Sequence, residues 1–205
     1  QGGRLLQVST DFVFDGQQGC PYRVDQTTTP LNIYGGSKAA GGLAIQRIFG
    51  HDNPQGVILR KSWVMGPVGR NFALTMLRLH RERDHLGVVA DQVGCPSSTS
   101  NLAVACWKTI TLGSHTSLPP ILHWSDAGAA SWYDVAVAIG DLGHRLGLIN
   151  TPAQVNPITT ADYPAPGSHP NYSLLDCTTT RSALQLAGQH WQEGLKQLLL
   201  RIQAD

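Results

Sequence analysis

Residues 4–16 read Arg4-Leu5-Leu6-Gln7-Val8-Ser9-Thr10-Asp11-Phe12-Val13-Phe14-Asp15-Gly16. The apolar start predicts a buried strand over 4–9, and the polar turn from Thr10 ends it. A loop over 10–30, rich in Asp, Gly, Gln, Thr and Pro, follows. Working outward, 34–49 carries Ala39, Leu43, Ala44, Ile48 and Phe49 near i, i+4 spacing and predicts a helix, weakened by Gly41-Gly42. His51 to Gly56, with Asn53-Pro54, reads as a turn. Strands are expected at 57–59, 86–90 and 121–124. Helices are expected at 72–83, at 100–111 capped by Ser98, Thr99 or Ser100, and at 131–146 capped by Ser131. A long loop is expected over 151–171, which holds Pro152, Pro157, Pro164, Pro166 and Pro170. A short helix from Thr178 and a last one over 191–202 close the chain. Strands alternating with amphipathic helices specify α/β with a parallel sheet. No G-x-G-x-x-G or G-x-x-G-x-x-G phosphate loop occurs anywhere in the 205 residues.

Composition narrows the function classes. Fifteen Lys and Arg against fourteen Asp and Glu leave a formal charge of +1, which gives no footprint for nucleic acid or an anionic membrane. No apolar run approaches the length of a membrane span. Cys20, Cys95, Cys106 and Cys177 form no C-x-x-C pair, so the expectation is reduced, mostly buried thiols in a cytoplasmic protein. The eight histidines show no metal-ligand spacing, and no metal site is expected.

Tyr34-Gly35-Gly36-Ser37-Lys38 is a Y-x-x-x-K pattern. On a helix, i and i+4 share a face, so the phenol and the ammonium point into the same space. A neighbouring ammonium favours phenolate and prepares the tyrosine to exchange a proton with a carbonyl or alcohol. A surface pair is the alternative for this pattern by itself. Thr10, at the C-terminal end of the first strand, is either a turn or capping residue or a hydroxyl aimed at the substrate oxygen, because ligands bind at that end of open α/β sheets. A serine hydrolase is set aside, since Ala39 fills the last glycine position of G-x-S-x-G.

The segments VSTDFVFDG, PLNIYGGSK, ILRKSWVMGPVGRNFALTMLRL, VVADQVGCP, SWYDVA and YPAP occur in this order over nearly the whole chain. Together they resemble the dTDP-4-dehydrorhamnose reductase family, extended short-chain dehydrogenases/reductases. The resemblance implies an NADPH- or NADH-dependent reduction of dTDP-6-deoxy-L-lyxo-4-hexulose to dTDP-L-rhamnose. It implies Thr10, Tyr34 and Lys38 as the catalytic group: Tyr34 protonates the C4 oxygen, Lys38 lowers its pKa and binds the nicotinamide ribose, and Thr10 orients the carbonyl. Ser9 and Ser62 are implied beside the cofactor, together with Tyr34 and Lys38. Phe12, Trp63, Asn71 and Gln92 are implied at the sugar nucleotide, with a core tryptophan as the alternative for Trp63. Tyr133 is expected to pack within the C-terminal lobe.

The fold implied is a partial Rossmann-like parallel sheet without its N-terminal βαβ units, followed by a small α+β substrate lobe. Residues 1–67 would belong to the dinucleotide-binding domain. Residues 68–205 would form mainly the substrate lobe, with segments returning to the first domain. The family's glutamate is absent at Gly42, and Ser168-His169 stand where the family has two arginines, which removes bidentate anion contacts. The chain begins without Met on an immediate strand and is expected to be the back two-thirds of a longer enzyme, inactive or weak by itself. A homodimer is the assembly considered. Two other classes stay open: a nucleotide-sugar epimerase or 4,6-dehydratase, for which Asp11 supplies one acid rather than an Asp-Glu pair, and a non-catalytic subunit like the beta subunit of methionine adenosyltransferase.

Overall fold

A computed structural model describes residues 3–50, 53, 55–112, 118–163 and 169–204. Among these the chain forms β1 (Leu5–Thr10), α1 (Ile33–Phe49), β2 (Gly56–Lys61), β3 (Val64–Met65), α2 (Phe72–Glu82), β4 (His85–Val89), β5 (Val93–Gly94), β6 (Ser97–Ser98) and α3 (Thr99–Leu112). Then come β7 (Ile121–Trp124), β8 (Ala130–Ser131), α4 (Trp132–Arg145), β9 (Gln154–Ile158), α5 (Thr178–Leu184) and α6 (Trp191–Ala204).

The main sheet has the order β1-β2-β7 and is parallel throughout, with Thr10 opposite Lys61 and Lys61 opposite Trp124. Its period-2 pattern sends alternate residues to opposite faces. Val57, Leu59, Leu122 and Trp124 pack with Leu102 and Ala105 of α3 and Leu184 of α5. On the other face, Gly42 of α1 is seated on β2, where a Cβ would lie 3.4 Å from Ile58 Cδ1. Gly41-Gly42 therefore does not break α1: the close seat on β2 outweighs the weak propensity. Helices on both faces of parallel strands give the Rossmann-like α/β arrangement expected from the pattern.

The first strand is buried at its carboxyl end, at Ser9 and Thr10, while Leu5 is 39% and Val8 37% exposed, β1 having one neighbour among the described residues. One expectation is corrected. The stretch 151–171 is not all loop, because 154–158 form β9, paired in parallel with β4. Pro157 is accommodated because that pair has only two strands and Pro needs no ladder donor on a free edge. Asn53 is described but Pro54 lies outside the described residues, as do Pro164, Pro166 and Ser168.

The second core lies under α2, α4 and α6. Met76, Leu77, Leu86, Val135, Ile139, Ile149, Leu195 and Leu199 are buried there. His80 sits between α2 and α4, with Nε2 3.0 Å from the Ala136 carbonyl, while Nδ1 accepts from the Ala153 amide at 3.2 Å. That pairing makes Nε2 the donor and satisfies a fully buried imidazole. The helix starts are held as expected or more firmly. Ser131 caps α4 in a reciprocal box with Asp134, and Ser98 accepts from the Asn101 amide at the start of α3. Asn32 caps α1 and Asn71 caps α2. Ser131→Ala is expected to lower unfolding free energy by about 1 kcal/mol, read as a shifted urea midpoint at unchanged slope.

Candidate active site

Five of the residues singled out in the sequence meet where β1 ends. Thr10 closes the strand, is 1% exposed and caps the 3-10 turn Asp11–Val13, its Oγ1 accepting from the Phe12 amide at 3.3 Å. Tyr34 lies in the first turn of α1 and is 46% exposed. Its ring meets the Phe12 ring edge-on, with centroids 6.1 Å apart. Lys38, one turn on, donates from Nζ to the Val8 carbonyl at 3.3 Å. Ser9 is buried and lines, with Lys38 and Arg60, a cavity of about 30 Å³ between α1 and the sheet.

One glycine makes this gathering sterically allowed. A Cβ on Gly35 would fall 2.1 Å from the Phe12 carbonyl oxygen and 3.0 Å from Pro30 Cβ. Only glycine lets the first turn of α1 lie against the turn after β1. Gly36, its neighbour, has open space where a Cβ would stand. Ser37 donates to the Tyr34 carbonyl at 2.8 Å and faces outward.

The other candidates form a second group, engaged within the fold. Ser62 is fully buried and donates to the Cys95 carbonyl at 3.0 Å. Trp63 is 8% exposed and stacks on Trp132, with centroids 3.6 Å and planes 6° apart. Its φ of 40° puts a bulky residue in the left-handed region. Such strain costs about 1–3 kcal/mol and concentrates at functional sites. Asn71 accepts from Leu74 N and donates to the Gly66 carbonyl. Gln92 donates to Thr160 Oγ1 and accepts from the Trp132 indole, both at 3.1 Å. Tyr133 packs against the second core, as expected.

The two groups are joined. Thr10 Oγ1 and Asp11 Oδ1 are 3.0 Å apart, and Asp11 is 2% exposed. A Cβ at Gly94 would lie 2.6 Å from Trp63 and 2.8 Å from the Ser173 hydroxyl. Burial holds the Asp11 carboxyl above its ordinary range, opposed by Ser173 and by the Lys61 charge. His169 lies with its ring 5.6 Å from that of Phe12.

A buried cation supports the loop that carries the site. Arg60 is 6% exposed, donates to the Val24 carbonyl, and lies with its guanidinium carbon 5.1 Å from the Phe14 ring centre. Burial lowers its pKa to about 10. His123 Nδ1 is 3.1 Å from the Tyr22 carbonyl, so Nδ1 is the donor and Nε2 accepts from Arg60 at 3.2 Å. Burial first, and then the Arg60 charge, push the His123 pKa down to about 3.

Among the described residues, no group of three His, Cys, Asp or Glu is placed to hold a metal, and no helix is long and apolar enough to cross a membrane. All four cysteines are free: Cys95 and Cys177 are buried, Cys106 is half-buried and Cys20 is exposed. Tyr34 and Lys38 suit the ribose end of a nicotinamide dinucleotide. Lys38 has spent one of its three donors, and the 30 Å³ cavity under α1 holds about one water, so a dinucleotide would lie on the open side beside Tyr34.

The family model described as RmlD substrate binding domain matches residues 1–204. The dTDP-4-dehydrorhamnose reductase of Aggregatibacter actinomycetemcomitans is 40% identical over 197 residues, 95% of this chain and 65% of that protein. The solved dTDP-4-dehydrorhamnose reductase of Clostridium acetobutylicum superposes with a TM-score of 0.85 at 34% identity, over 98% of this chain and 66% of that one. That of Bacillus anthracis, solved in complex with NADP, gives 0.82 at 32% identity, over 98% and 66%. The chain thus spans just under two thirds of the length of these relatives.

His123 predicts a pH effect. Its folded pKa lies below the ordinary value of 6.5, so the unfolded chain binds the extra proton, and stability is lost as pH falls from 6.5 toward 3. Between about pH 7 and about pH 5 the loss is about 2 kcal/mol from this residue. Urea midpoints of His123→Gln should move correspondingly less between the two pH values than those of the parent.

Proposed function

The chain belongs to the RmlD substrate-binding domain family, and from that membership we propose that it carries the catalytic and sugar-binding part of a nicotinamide-dependent reductase. The substrate is dTDP-6-deoxy-L-lyxo-4-hexulose and the product dTDP-L-rhamnose. The observation that supports this most is the gathering of Thr10, Phe12, Tyr34 and Lys38 at the carboxyl end of β1, where open parallel sheets bind ligands.

NADPH or NADH, when bound, supplies the hydride. Tyr34, exposed at the start of α1, gives its phenolic proton to the C4 oxygen as that oxygen gains charge. Lys38 lies one helical turn away and holds the ribose hydroxyls with its unspent donors. Thr10 donates to the same C4 oxygen and fixes the ketone for attack. Phe12 offers an apolar wall beside the phenol. Trp63, Asn71 and Gln92 shape the sugar side through the packing and hydrogen bonds that hold β5, α2 and Trp132. Ser9 and Ser62 support the cofactor side from within. The boundary near residue 67, a cytoplasmic location and a homodimer belong to the same proposal. Asp11, buried against Thr10, presents no second acid to a sugar, which disfavours the dehydratase alternative.

The test is oxidation of NADPH by the keto-sugar with the complete gene product. Tyr34→Phe is expected to lower kcat about 100-fold or more, with KM for the sugar little changed. Equal rates would remove Tyr34 from the mechanism. For the 205-residue chain alone, calorimetry should show no micromolar NADPH binding, since it contains no glycine-rich phosphate loop. Micromolar binding would show that the phosphate contacts lie within these residues.

A further inference from the structure

We infer that Asp11 is a positioning residue for Thr10, holding the Thr10 hydroxyl so that its single hydrogen is available to a substrate carbonyl. The inference rests on the reductase reading for what Thr10 faces, but its physical core concerns these two side chains alone. A hydroxyl has one hydrogen and two lone pairs. The Phe12 amide takes one lone pair of Thr10 Oγ1 at 3.3 Å. Asp11 Oδ1 lies 3.0 Å from the same oxygen.

Two arrangements satisfy that contact. With a carboxylate, Thr10 must donate to Oδ1, and its only hydrogen is spent inside the fold. With a neutral carboxyl group, Asp11 donates to the second lone pair, and the Thr10 hydrogen is released toward the site.

The surroundings select the neutral form. Asp11 is 2% exposed, and Oδ2 is buried without a hydrogen bond of ordinary geometry. A buried carboxylate left so poorly solvated is expensive, whereas a carboxylic acid needs fewer partners. The Ser173 side chain hydrogen-bonds the Asp11 carboxyl, and Lys61, the last residue of β2 and opposite Thr10, reaches it with its charge; both favour the carboxylate. Neither forms an ion pair with Asp11 among the described residues, and desolvation outweighs both. The proton on Asp11 thus performs no chemistry of its own. It sets the direction of a neighbouring donor, and the link through Ser173, Gly94 and Trp63 fixes that donor against the second core.

The direct test needs no turnover. Infrared difference spectra of the chain with ¹³C-labelled aspartate, parent minus Asp11→Asn, at neutral pH should show the carbonyl band of a protonated carboxyl group. A carboxylate pair of bands in its place overturns the inference. The kinetic arm uses the complete gene product. Asp11→Ala should lower kcat about tenfold or more at unchanged KM, as loss of an aligned donor does. Asp11→Asn, whose amide can donate to Thr10, should recover part of that loss. In a Thr10→Val background, Asp11→Ala should cost nothing further. An equal loss in both backgrounds would make Asp11 merely structural. If the parent itself reduces no keto-sugar, the reductase reading fails, while the infrared result still decides the state of Asp11.

Discussion

The first turn of α1 rests on the carbonyl of Phe12 with no room for a side-chain carbon between them. The gathering of Phe12, Tyr34 and Lys38 at the end of β1 follows from that contact. It brings the phenol of Tyr34 to the ring of Phe12, and it carries Lys38 back along β1 to the Val8 carbonyl. It also sets the helix start above Thr10, whose backbone position is fixed by pairing with Lys61. Asn32 then satisfies the Gly35 amide at 2.8 Å, so the turn that approaches the strand end is also capped.

The same strand end is tied downward to the rest of the molecule. The loop after it is held by Phe14 stacked on Tyr22 and by the buried Arg60–His123 pair. Backbone hydrogen bonds carry the connection onward: Tyr172 donates to the Gly16 carbonyl, and Ser173 to that of Val93. Gly94 then brings Trp63 and Ser173 together, and Trp63 stacks on Trp132. A sugar bound beside Tyr34 would therefore rest on a wall connected without a break to the second core. The left-handed backbone at Trp63 is the visible strain of that connection.

Much of this was legible in the residues. The strand–helix alternation, the caps at Ser98 and Ser131, and the Tyr34–Lys38 spacing depend on local chemistry, which a sequence displays. What was not legible depends on distant partners. Pro157 conceals β9, whose register comes from β4. Gly35 and Gly36 look alike in sequence, yet only Gly35 has a carbonyl in the way of a Cβ. Asn71 and Gln92 are polar, but the fold uses their hydrogen bonds, which polarity alone cannot reveal. Asp11 reads as one acid in the turn after β1, and only the fold shows it buried against Thr10.

The contact between Gly35 and the Phe12 carbonyl assembles the site. It is tested most directly by solving Gly35→Ala beside Gly36→Ala and measuring the Phe12–Tyr34 ring separation. In Gly36→Ala the separation should stay at 6.1 Å, with the helix stabilised by roughly 0.5–1 kcal/mol. In Gly35→Ala the first turn of α1 should lift away, separating Tyr34 from Phe12 while the β1–β2 pairing persists. An unchanged ring separation in Gly35→Ala would contradict the account.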